Sequence, residues 1–320
     1  MDRGRPAVSA RIRSLRPPRP AVDPWTPLGT TIEDELGPDG RLLPALTVFL
    51  AGSECPFTCV FCDLWRHTLE GPTPEGALPA QLRQALESDA VRGARPPHVK
   101  LYNASNFFEP RAVPPSDLPA LAALLQPFAR VTVESHPNLT APAAEFARRL
   151  PGRLEVAMGL ETIHPSGARL NKACTPDDFA RAAAALREDG IGVRAFVLLG
   201  APFVPAAEAV EWAVRSAEWA LAHGAEVVAL IPVRGGNGIL EELAAAGAFT
   251  PPKLADLERA LEASLAPDKG VVLADLWDAE RLDACPRCRG ARLSRLLAMT
   301  RSGRPGPPLL CGACSPAASG

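Results

Sequence analysis

From Leu46 onward, short and nearly continuous apolar runs alternate with longer stretches whose apolar residues recur every three or four positions. The runs Leu46–Gly52, Val99–Ala104, Val131–Ser135, Leu154–Glu161, Val193–Gly200 and Val227–Pro232 are rich in Val, Leu and Phe. Such runs predict parallel strands covered on both faces. The stretches between them, Leu78–Ser88, Asp117–Phe128, Ala143–Leu150, Asp177–Asp189 and Ala206–His223, carry the helical period. The fourth opens on Thr175-Pro176-Asp177-Asp178, a cap residue, a proline and two carboxylates at the positive end of a helix dipole. Gly190 follows it, where a left-handed residue ends a helix. Six β/α units in series predict an α/β fold, either a partial (β/α)6 barrel or a doubly wound sheet. In both, chemistry belongs at the carboxyl ends of the strands. Leu254–Leu265 and Val271–Trp277 predict one further helix and strand.

The ends break this pattern. Residues 1–40 are rich in Pro and Arg, including Arg16-Pro-Pro-Arg-Pro20, and read as an extended or disordered extension before a main domain of residues 41–282. Residues 283–320 form a four-cysteine tail, read as a separate small module. Net charge is −2 over 320 residues, which excludes a nucleic-acid-coating protein. The basic residues nevertheless gather at the two ends. Six arginines precede residue 20, and seven lie between Arg281 and Arg304. These ends are either solvated tails or tracks for phosphate, through which tRNA or a partner protein would bind. No apolar run is long enough to span a membrane and no hydrophobic signal core opens the chain, so a cytoplasmic location is expected.

Cysteine spacing adds the chemistry. Cys55-Pro-Phe-Thr-Cys59-Val-Phe-Cys62 places three thiols on a loop leaving the first predicted strand. Three thiols can each hold one iron of a [4Fe-4S] cube and leave the fourth iron open, whereas structural zinc wants four ligands. Cys285-Pro-Arg-Cys288 and Cys311-Gly-Ala-Cys314 supply two C-x2-C pairs, the spacing of a zinc-ribbon-like site or of a second Fe–S cluster. Cys174 stands alone, as a small apolar residue near a helix start. The grouping points to metal sites in a reducing compartment rather than to disulfides.

The C-x3-C-x2-C triplet, with Phe61 before its last cysteine, resembles the signature of the radical S-adenosylmethionine (SAM) superfamily. Over roughly residues 45–250 the resemblance continues through Val133-Glu134-Ser135-His136-Pro137, Gly159-Leu160-Glu161-Thr162 and Leu170-Asn171-Lys172. These segments are similar to the Elongator catalytic-subunit and coproporphyrinogen-dehydrogenase group. Within it, Lys100 to Phe107 and Ala201-Pro202-Phe203 match the archaeosine synthase type best. The resemblance implies a partial barrel, a SAM molecule chelated to the open iron, and one-electron cleavage to a 5′-deoxyadenosyl radical. It also implies an outside reductant of flavodoxin or ferredoxin type, and a substrate that is a modified base in tRNA, a free small molecule or a peptide. A non-catalytic RNA-binding or scaffold protein with structural cysteines is the rival from another class.

The resemblance suggests roles for individual residues. Glu134 and Glu161, at strand ends, would accept hydrogen bonds from a ribose diol; the alternative is a carboxylate satisfied by backbone amides or a basic residue. Lys172 would hold the SAM carboxylate. Asn103, Ser105 and Asn106 stand where relatives carry a Gly-Gly-Glu segment that receives the SAM amino group, a segment absent from this chain. Phe196 occupies the position of a ribose-binding aspartate. Arg234-Gly235-Gly236-Asn237-Gly238 reads as a flexible turn or as backbone approaching adenine. His67 either covers the cluster or is an exposed loop residue. Tyr102, His136 and Arg194 either face a substrate cavity or are satisfied core residues.

Overall fold

A computed structural model describes residues 5–265 and 270–314. Eight strands lie side by side in chain order: β1 (Gly29–Leu36), β2 (Leu42–Phe49), β3 (His98–Tyr102), β4 (Arg130–Glu134), β5 (Arg153–Glu161), β6 (Gly192–Leu199), β7 (Val227–Pro232) and β8 (Val271–Ala274). The β1–β2 pair is antiparallel and every later pair parallel. Strictly sequential order, with no reversal point, separates a barrel-like sheet from a doubly wound one. The sheet curls until its edges approach. Leu36 of β1 packs with Val227, Val271 and Leu273, and Arg194 on β6 reaches Glu35 on β1 at 2.6 Å.

Helices cover the outer face: α2 (Ala77–Glu87), α3 (Asp89–Ala94), α4 (Leu118–Leu124), α5 (Ala143–Ala147), α6 (Pro176–Glu188) and α7 (Ala209–Ala222). The even-spaced strand residues Val99, Leu101, Val131, Val133, Leu154 and Val156 share one buried cluster with Leu78, Leu82, Leu121, Leu125 and Phe146. At about 1.5–3 kcal/mol for each fully buried side chain of this size, that layer is the main source of stability. The opposite face of the strands lines the barrel interior. The capping box expected at Thr175 is present, with its side chain accepting from the Asp178 amide at 3.2 Å.

Both ends depart from expectation. The Pro/Arg-rich extension is ordered: it contains helix α1 (Arg5–Ser14) and strand β1. Helix α1 has one apolar anchor, Ile12, buried among Val60, Leu198, Leu240 and Phe249. One anchor leaves no helical stripe to see in the sequence, which is why composition there suggests disorder. Strand β1 is masked by its polar residues, of which Glu35 faces an ionic interior while Thr30, Glu33 and Asp34 face water. At the other end, α8 (Ile239–Ala245) and α9 (Leu254–Ser264) follow β7, and β8 stops at Ala274, where Asp275 begins a turn by accepting from the Trp277 amide. Helix α10 (Arg289–Ser302) lies between the two cysteine pairs, and its Leu296 and Met299 are wholly buried in the main core. The helix of the tail therefore packs onto the main core.

Several of the terminal arginines pair with acidic residues of the fold. Arg16 and Arg19 pair with Glu54, Arg11 with Glu242, Arg292 and Arg295 with Glu258, and Arg301 with Asp34. Arg13, Arg287 and Arg304 are exposed and enter no ion pair among the described residues. Among the described residues, no helix is long and apolar enough to cross a membrane.

Candidate active site

The cysteine loop leaves β2 at the carboxyl end of the sheet and is held from several directions. Asn171 donates through Nδ2 to the carbonyl and hydroxyl oxygens of Thr58, both at 2.8 Å, and the Val60 amide donates to Leu170 O at 3.0 Å. Asn237 donates through Nδ2 to Val60 O at 2.8 Å and Cys62 O at 3.3 Å. From the N-terminal helix, the Ser9 hydroxyl lies 2.7 Å from that of Thr58. Gly238, at φ +88°, lets the chain pass under Leu15, whose carbonyl oxygen would lie 2.0 Å from any Cβ there. After the loop, Trp65 is buried beneath the Arg16 guanidinium at 4.7 Å.

Asn106 joins this loop to the barrel. Its Oδ1 accepts from the His136 amide at 2.7 Å, and its Nδ2 donates to Cys55 Sγ at 3.1 Å. The side chain expected from sequence to meet the SAM amino group instead bonds a cysteine of the triplet. Burial pushes all three thiols up, Cys62 to about 12. Lys172 stands beside Cys59; burial favours its neutral amine, but the Glu161 carboxylate more than offsets this and keeps it an ammonium.

Glu161 and Lys172 form a buried ion pair, with the lysine also donating to Gly159 O. Gly159 makes room for the pair: a Cβ there would fall 1.9 Å from Glu161 Oε1 and 2.1 Å from Lys172 Nζ. Glu161 itself sits at φ +68°, where the β5–β6 register shifts. Glu134 turns to the loop after β3 and accepts from the Asn103 amide at 2.7 Å, with the Ala104 and Ser105 amides also facing it. Burial drives its pKa up to about 7 against those amides. The amide-satisfied alternative left open by sequence describes Glu134 as the structure places it. Asn103 Oδ1 accepts from the Ser105 amide at 3.3 Å, while Asn103 Nδ2 and Ser105 Oγ are buried with no partner.

Several side residues resolve toward structural roles. His136 stacks on Phe57 with centroids 4.0 Å apart, bonds Lys172 O at 3.0 Å, and is held neutral by burial, its pKa lowered to about 4. Arg194 joins an ionic network rather than facing a substrate, and His67 is exposed. Tyr102 points into the barrel interior beside Phe49 and Phe196. Cys174 is partly buried at the start of α6. Sequence reading missed Asn237, whose glycine-rich surroundings signal a turn but not a clamp on the cysteine loop.

The two cysteine sets differ in geometry. The sulfurs of Cys285, Cys288, Cys311 and Cys314 all lie within 4.8 Å of one another, and among the described residues Cys55, Cys59 and Cys62 do not gather so closely.

No protein-family model matches the chain. It is 26% identical over 275 residues to archaeosine synthase subunit beta of Methanosarcina acetivorans, covering 79% of this chain and 75% of that protein. It is 22% identical over 273 residues to an uncharacterized protein of Methanocaldococcus jannaschii, covering 80% and 74%. Among solved structures, methylornithine synthase shares the fold with a TM-score of 0.52 at 14% identity, over 81% of this chain and 70% of that one. The curled sheet therefore has the fold of methylornithine synthase. The relative with an assigned activity, archaeosine synthase subunit beta, matches along most of that fold.

Proposed function

We propose that the protein is a radical SAM enzyme. The observation that carries this is the pairing of two features at one end of the barrel. Three buried thiols are spread wider than ligands around one ion, and beside them lie two buried polar groups, Asn103 Nδ2 and Ser105 Oγ, without partners. The donor set fits a [4Fe-4S] cluster, because a cube's cysteine ligands radiate from separate irons and a fourth position stays open. When bound, the cluster with SAM on its open iron supplies reductive cleavage of the sulfonium to a 5′-deoxyadenosyl radical.

The chain's own residues have distinct tasks. Cys55, Cys59 and Cys62 ligate, and Asn106, Asn171 and Asn237 hold their loop rigid. Lys172 places positive charge beside Cys59, offsetting thiolate charge and favouring a carboxylate nearby. Glu161 keeps that ammonium in place and is the carboxylate assigned to the ribose; Glu134 shapes the loop that presents Asn103 and Ser105. A flavodoxin or ferredoxin-type reductant supplies the electron.

For the substrate, the archaeosine synthase relative supports a modified 7-deazaguanine base in tRNA. A second reading, a free nucleoside or other small molecule, is favoured by the internal pairing of the terminal arginines, which leaves less charge to follow an RNA backbone.

Anaerobically reconstituted protein given dithionite and SAM is expected to release 5′-deoxyadenosine, and Cys59→Ala to release none. Zinc in place of iron and sulfide at the triplet sinks the proposal. Supplying substrate as tRNA or as the free nucleoside separates the two substrate readings.

A further inference from the structure

We propose that Cys285, Cys288, Cys311 and Cys314 hold one tetrahedral divalent ion of the zinc class, and that this ion is the clasp that closes the barrel seam through α10. The ligand geometry selects a single ion over a cluster. Zinc–sulfur bonds of about 2.3 Å put tetrahedral sulfurs about 3.8 Å apart. The Cys288 and Cys314 sulfurs are 3.6 Å apart, and all four lie within 4.8 Å. A cube's sulfurs stand farther apart, since each extends outward from a different iron. The two sites of this chain thus differ in the way one ion differs from a cluster.

The clasp follows from where α10 lies. It packs against β8, β1 and α9, and so bridges the two free edges of the sheet. Thr300 Oγ1 accepts from the Ala274 amide of β8 at 3.3 Å, and Arg301 pairs with Asp34 of β1. Cys288 is the N-cap of α10, while the second cysteine pair returns to it from beyond its C-terminus. One ion therefore ties both flanks of the helix together.

Arg292 donates through Nε to Cys288 Sγ at 3.3 Å and pairs with Glu258 of α9. Four thiolates on a divalent ion carry net negative charge, which this guanidinium offsets. Arg295 pairs with Glu258 at 3.0 Å and holds the returning segment through Pro307 O at 2.6 Å and Gly306 O at 2.8 Å.

The test uses the full chain carrying Cys55→Ala, Cys59→Ala and Cys62→Ala together, so that failure of the cluster assignment does not touch it. One zinc per chain without iron or sulfide is expected, as is a thiolate-to-cobalt charge-transfer band after Co2+ replacement. Iron with sulfide, or no bound metal, overturns the single-ion site. Hydrogen exchange of the same protein before and after zinc removal by a chelator reads the clasp. Exchange in residues 29–36 and 289–302 is expected to accelerate about tenfold or more while β4 and β5 stay protected. Equal exchange with and without zinc overturns the clasp.

Discussion

The two ends of the barrel interior are built on opposite terms. At the amino end, every charge meets its opposite. Glu35 accepts from Lys100 at 2.7 Å and Arg194 at 2.6 Å, and Glu155 accepts from Arg194 at 2.7 Å and Thr132 at 3.0 Å, with Arg130 at 3.3 Å. Arg194 and Lys100 hold Glu35 well below the usual carboxylate range despite its burial, and burial keeps His98 neutral by lowering its pKa to about 3. At the carboxyl end, three cysteines share one loop, and Asn103 and Ser105 keep partnerless polar atoms. Among the described residues, six of seven non-glycine residues at positive φ (Ala104, Glu161, Asn171, Ala173, Phe203 and Asp278) lie at this end, at the ends of strands or on the loops after them. Left-handed backbone costs stability, and its concentration at one end is where a functional site is expected. One end is an ionic network; the other gathers strained backbone.

The sharpest way to break the contrast is Arg194→Met. It strands two buried carboxylates, and a loss of about 3–5 kcal/mol is expected from urea unfolding. A loss below about 1 kcal/mol means the amino-end network is not structural. Next comes Asn103→Ala, which removes an amide whose Nδ2 has no partner. Stability is expected to change by less than about 1 kcal/mol, while SAM binding, followed by calorimetry on the reconstituted protein, weakens by about tenfold. Equal SAM affinity in the variant removes Asn103 from the site.

The smallest effect concerns pH. Burial raises Glu134 from its usual 4.5 to about 7, so between those values the folded chain holds a proton that the unfolded chain has released. Its contribution to stability is complete below pH 4.5 and is lost as pH rises through about 7. Glu134→Gln is expected to flatten this fall when unfolding is compared at pH 5 and pH 8. An unchanged slope means that the loop amides already hold Glu134 ionised.

How much of this was legible beforehand varies by residue. Strand β7 runs from Val227 to Pro232 as its apolar run predicts, and the other parallel strands differ by a few residues at their ends. Strand β1 was not legible, because its run Glu33-Asp34-Glu35 reads as solvated, and only Lys100 and Arg194 give Glu35 a reason to point inward. The cysteine triplet announced its chemistry by spacing, yet Asn237 comes from 175 residues beyond Cys62 and carries no local signal. Glu134 lay at a strand end as expected, but its amide partners depend on how the 103–105 loop turns.

By itself, the sequence determined what local chemistry can determine: parallel strands buried on both faces, capped helices between them, and three thiols at the mouth of the first. Only the tertiary structure decided which carboxylate pairs with which base, that Asn106 serves a cysteine, and that α10 crosses from β8 to β1. Those outcomes depend on contacts between segments far apart in the chain, and burial makes such contacts strong without leaving any period or spacing behind.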